Sequence, residues 1–137
     1  MAGPDVPLCG IREVDAGHLD LHRRIDTFGR LWKLGADDAA LLDSLKEVRE
    51  AARGHFEVEV AVLSGYGVPA RHHRQIHDAI LEKLDAMLDE MAEKSNHQRW
   101  FAVLDDVEQI FLDHEVMEDR AFYALLTPPP EDGRLAG

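Results

Sequence analysis

Four stretches of the chain place apolar residues three and four positions apart, the spacing that lines one face of an α-helix. The first carries Val14, His18, Leu21, Ile25, Phe28 and Trp32. The second carries Leu41, Leu45, Val48, Ala52, His55, Glu59 and Val62. The third carries His73, His77, Ile80, Leu84, Met87 and Met91, and the fourth Trp100, Leu104, Val107, Phe111, His114, Glu118, Ala121 and Leu125. Strand-like alternation is nowhere sustained for more than a few residues. The spacing predicts helices over about 14–33, 38–64, 70–93 and 97–126.

The breaks between these stretches carry turn chemistry. "LGADD" offers Asp37 or Asp38 as an N-cap, and "SGYGVP" offers Gly65 as a stop. "EKSNHQ" closes the third helix and "TPPP" the fourth. Amphipathic helices joined by short connections predict an all-α fold, an up-down-up-down four-helix bundle. The bundle is expected over 13–126, after an N-terminal arm at 1–12 and before a flexible Pro-rich tail at 127–137.

Composition narrows the setting. At 137 residues and 45% hydrophobic content, one core suffices without covalent staples. The single cysteine, Cys9, excludes an internal disulfide framework and a thiolate metal cage. A formal charge of −12 argues against nucleic acid and anionic membranes as partners. The opening "MAGPDVPLCGIREVD" lacks a basic segment and a long apolar run, so no secretory signal and no membrane span are expected. The expectation is a cytoplasmic monomer, with no oligomer interface marked.

The unusual feature is what interrupts the apolar stripes. A lone histidine on such a stripe is ordinarily a hydrogen-bonded core residue, and His72 and His97 read as surface residues. Here, however, His18, His55, Glu59, His73, His77 and His114 all fall on the inward stripe. Burying so many polar groups without partners costs about 1–3 kcal/mol each, whereas a cation satisfies them together. In an up-down bundle the start of the first helix, the end of the second, the start of the third and the end of the fourth share one level. All six residues converge there. His55/Glu59 and His73/His77 are i, i+4 pairs, so each pair points one way with its members about 6 Å apart along the axis. This donor set exceeds one ion and suits two. Imidazole with carboxylate favours iron, manganese or zinc over calcium or magnesium.

The same residues resemble the hemerythrin family in its bacterial single-domain form. "GIREVDAGHLDL" is similar to the family's first-helix motif, and "HFEVE" to its His-Phe-x-x-Glu. "GYGVPARHHRQIH" resembles the Gly-Tyr-Pro turn leading into His-x-x-x-His, and "HEVMED" its final His-x-x-x-x-Asp. The resemblance runs from Gly10 to about Asp119, in order. It implies a non-haem di-iron cofactor, Fe2+/Fe3+, with a bridging oxo or hydroxo ion. His73, His77 and His114 would hold one iron, and His18 and His55 the other, which keeps an open position. Glu59 and Asp119 would bridge the pair. It further implies that O2 binds reversibly as a diferric hydroperoxide.

Two assignments have rivals. Asp119 lies five residues after His114, about 140° round an ideal helix, whereas Glu118 keeps to the inward stripe; the motif favours Asp119. His22 lies one turn after His18, but the motif register selects His18, leaving His22 at the surface, at the pocket edge or behind the ligands.

Leu21, Phe56, Ile110 and Phe111 are expected around the open position. Glu115 departs from the family, which places isoleucine just after the fourth-helix histidine. Either Glu115 turns to solvent or a nearby base, or, with His22, it reaches the open iron as ligand or proton donor. The second glutamate that the family has after His-Phe-x-x-Glu is replaced by Val60, read as an outer-face change. The leading function is therefore an O2 carrier, store or sensor. The alternative is a di-iron peroxidase, oxidase or redox sensor in which Glu115 modifies the open site, so a peroxidase-type side activity stays open. A signalling role would need a separate partner, such as a redox protein. A phosphotransfer bundle fits poorly because the histidines face inward, and ferritin-like chemistry fits poorly because Glu-x-x-His pairs are absent.

Overall fold

The computed structural model describes residues 10–126, with side chains described through residue 117. Residues 1–9 of the arm expected at 1–12, the tail at 127–137 and the side chains of Glu118 and Asp119 lie outside the described residues; of the rest of the arm, Ile11 caps the first helix and Arg12 begins it. Four helices follow in order: α1 (Arg12–Lys33), α2 (Asp38–Gly65), α3 (Arg71–Glu93) and α4 (His97–Leu126). No strand occurs among the described residues. The helices run within about two residues of the positions that periodicity predicts.

Local chemistry sets the ends. Asp37 caps α2, its side chain accepting from the Ala40 amide at 2.9 Å. Asn96 does the same for α4 through the Arg99 amide at 2.9 Å. At the end of α2 the stop is Gly67 rather than Gly65. Gly65 is the last helical residue, while Gly67 takes φ of +76°. The Gly67 amide then donates to the Ser64 carbonyl, and the Val68 amide to that of Leu63 at 2.9 Å. This double closure needs the left-handed conformation one residue beyond the cap, which glycine adopts without strain. Gly35 closes α1 in the same way, with the Ala36 amide donating to the Leu31 carbonyl.

α1 packs on α2, α2 on α3, α3 on α4, and α4 closes back on α1. That cyclic order is an up-down-up-down bundle. The levels agree: at one end Trp32, late in α1, donates its indole N–H to the carbonyl of His97 at the start of α4. There Trp100 likewise donates to Asp38 at the start of α2, at 2.8 Å. The main core runs from this end toward the middle and includes Phe28, Leu45, Val48, Leu84, Trp100, Val107 and Phe111.

A second apolar cluster closes the opposite end. Ile11 and Val14 from the start of α1, Leu63 from the end of α2 and Ala70 just before α3 pack there, with Val60 and Val68 partly buried against them. Val60 therefore packs inside this end cap, not on the outer face. Leu63, not Val62, is the fully buried residue of its turn. The expected polar level lies between the two apolar clusters.

Candidate metal centre

Each helix delivers a side chain to one buried layer. α1 provides His18, α2 provides His55 and Glu59, α3 provides His77 and α4 provides His114. Exposure is 0% for His18 and Glu59 and 5% or less for the other three. The i, i+4 step on α2 brings His55 Nε2 to 3.5 Å from Glu59 Oε2.

Glu59 organises the layer. Its Oε2 faces His55 and, at 3.6 Å, His18 Nε2. Its Oε1 faces His77 Nε2 at 3.1 Å and His114 Nε2 at 3.4 Å. One carboxylate thus divides four imidazoles into two pairs, one pair to each oxygen. The rings pair accordingly, His18 with His55 at 4.4 Å between centroids and His77 with His114 at 5.1 Å, both edge to face.

These donors form two three-atom groups, His18/His55/Glu59 and Glu59/His77/His114, in each of which all ligand atoms lie within 4.8 Å of one another. The buried His/Glu cluster could hold a metal ion. Donors about 2.0–2.1 Å from a common ion, at angles between square and tetrahedral, stand about 2.8–3.4 Å apart; the N···O separations here, 3.1–3.6 Å, lie in the upper part of that range and just above it. Hydrogen bonding alone leaves the layer incomplete, since both ring nitrogens of His55 are buried without a hydrogen-bond partner among the described residues. The donor set therefore fits a cation.

Electrostatics agree. Burial pushes the His55 imidazole down to about 4, despite the opposing pull of Glu59, which keeps it neutral as a ligand must be. Burial opposes ionisation of Glu59, but hydrogen bonds from His114, His18 and His77 and the neighbouring His55 outweigh it. Its carboxyl is held well below the usual carboxylate range.

Aromatic walls fix the rings. Phe56 stacks on His77 with 4.0 Å between centroids and 3° between planes, and meets His114 edge-on at 5.1 Å. Leu21 and Phe111 are buried in the adjoining core, with Ile110 partly buried against it. His73 does not join either group. It is half-buried in the first turn of α3, its ring 6.2 Å from that of His77. His72 and His97 are exposed.

Glu115 is 1% exposed, and its Oε2 lies 2.5 Å from Nε2 of the partly exposed His22. It neither reaches solvent nor enters either donor group; it pairs with the nearby base and stays buried. Sequence reasoning missed Gly17. A Cβ there would collide with His55 Nδ1 and stand 2.8 Å from its Cε1. The available signal was a glycine inside a helical pattern, which usually marks close packing.

Compared with models of known families, with curated proteins and with solved structures, the chain finds no match. Among the described residues no helix is long and apolar enough to cross a membrane.

Proposed function

We propose that this chain is a hemerythrin-type protein whose buried layer holds two iron ions and binds O2 reversibly, as a carrier, store or sensor. The observation that carries the reading is Glu59, each of whose oxygens faces two imidazole nitrogens at 3.1–3.6 Å. A carboxylate arranged so is suited to bridge two ions. In this reading His18 and His55 hold one iron, His77 and His114 the other, and Glu59 both. The motif resemblance adds His73, Asp119 and a bridging oxo or hydroxo ion. When bound, such a pair supplies reversible two-electron uptake of O2.

The chain's own residues provide the rest. The end cluster of Ile11, Val14, Leu63 and Ala70 and the core below the layer keep bulk water from both faces. Phe56 holds His77 and His114 in place. The second reading, a di-iron peroxidase, oxidase or redox sensor, draws on one observation, the carboxylate of Glu115 buried beside His114.

The deciding experiment loads the protein with ferrous iron under argon and then cycles it between O2 and argon while the visible spectrum is recorded. A charge-transfer band that appears with O2 and disappears on purging supports the carrier reading. Immediate, irreversible oxidation with turnover of hydrogen peroxide favours the enzyme reading. Protein that retains no iron refutes both.

A further inference from the structure

The described side chains contain two buried acids, Glu59 and Glu115. Glu59 is faced by four imidazoles, two to each oxygen. Glu115 is accounted for on one side only. Its Oε2 is engaged by His22 Nε2 at 2.5 Å, while its Oε1 is buried with no hydrogen-bond partner among the described residues. A half-satisfied buried carboxylate is unfavourable unless something else uses the free oxygen.

Its position names what that is. Glu115 directly follows His114 on α4, and His22 lies one turn beyond His18 on α1. The pair therefore flanks one ligand of each donor group, along the seam where α1 and α4 pack. Charge points the same way. Neutral imidazoles contribute none, so among the described side chains of the layer only Glu59 offsets the charge of two divalent cations. A second buried carboxylate offsets that charge where it arises.

We propose that Glu115 is an additional carboxylate ligand of the metal centre, donating through Oε1, and that His22 is the positioning residue that holds its other oxygen. This rests on the dinuclear reading above and deepens it toward the second reading, because a carboxylate at the position that the resemblance leaves open competes with O2. A hydrogen-bonded partner on the non-coordinating oxygen is the usual support for a ligating carboxylate. An added hard oxygen donor biases the site toward iron or manganese over copper.

The test uses Co2+ and Mn2+ with the full chain, comparing wild type, Glu115→Gln, Glu115→Leu and His22→Gln, each first checked for native helicity by circular dichroism. Metal affinity is read by chelator competition and coordination number by the intensity of the Co2+ visible bands. The expected result is a loss of ten- to a hundredfold in affinity for at least one ion in both Glu115 variants. Stronger Co2+ bands, marking a lower coordination number, should accompany it. His22→Gln should show a smaller loss of affinity with the Co2+ spectrum kept. If wild type binds two ions, and Glu115→Gln and Glu115→Leu match it in affinity and spectrum, the assignment of Glu115 is overturned and the dinuclear reading survives. If wild type binds no metal, both are overturned.

Discussion

Gly17 on α1 lies against the ring of His55 on α2, so close that a Cβ at position 17 would collide with Nδ1. The absence of a side chain at 17 lets α1 approach α2 and bring His18 onto the same carboxylate oxygen as His55. Alanine inside a helix ordinarily stabilises by about 0.5–1 kcal/mol relative to glycine. Gly17→Ala is expected to do the reverse, lowering the melting temperature of the metal-free protein and weakening metal binding at least tenfold. Thermal unfolding and a metal titration check this. A higher melting temperature with unchanged affinity contradicts it.

Glu59 belongs to both donor groups. Glu59→Gln keeps the shape but removes the charge that serves both pairs of histidines. It should therefore abolish binding of both ions, whereas His77→Ala should weaken one more than the other. Metal content after gel filtration distinguishes these outcomes.

Acid should unfold the metal-free protein early. The folded His55 titrates at about 4 against an ordinary value of 6.5, so below 6.5 the unfolded chain takes up a proton that the folded chain refuses. Stability is full above 6.5 and falls as pH drops toward 4, by about 3 kcal/mol for His55 alone. Glu59 acts in the same direction, because its folded carboxyl is depressed and its contribution is lost as pH falls below the ordinary carboxylate range. Urea unfolding at pH 7.5 and pH 5 measures the difference, and bound metal should shift the loss to lower pH by competing with the proton.

The helices and the buried His/Glu layer are legible in the sequence because register and level are both set by periodicity. Given an up-down bundle, His18, His55, Glu59, His77 and His114 had to share one height and one side. The misreadings cluster at helix ends, where periodicity no longer decides burial. Val62 sits in the last turn of α2, where Leu63 takes the fully buried place in the cluster around Ile11. The same cluster takes up Val60, which the stripe alone would leave outside. Gly65 is the last helical residue of α2, while the left-handed position that closes the helix falls beyond the cap, at Gly67, where periodicity gives no signal. The Gly17 contact depends on how closely two helices approach, which spacing along one helix does not encode.

The His22–Glu115 pair separates two kinds of loss in the metal-free protein. His22→Ala leaves a buried carboxylate without its partner and should cost about 1–3 kcal/mol. Replacing both with leucine removes that penalty and should be neutral or stabilising, although metal binding would suffer. Urea unfolding of the single and double variants checks the difference.

The central claim, that five side chains from four helices make a dinuclear cage, is tested most directly by counting metal. Protein reconstituted anaerobically with excess ferrous iron and desalted should retain two iron ions per chain by elemental analysis. Retention of one ion or none would contradict it.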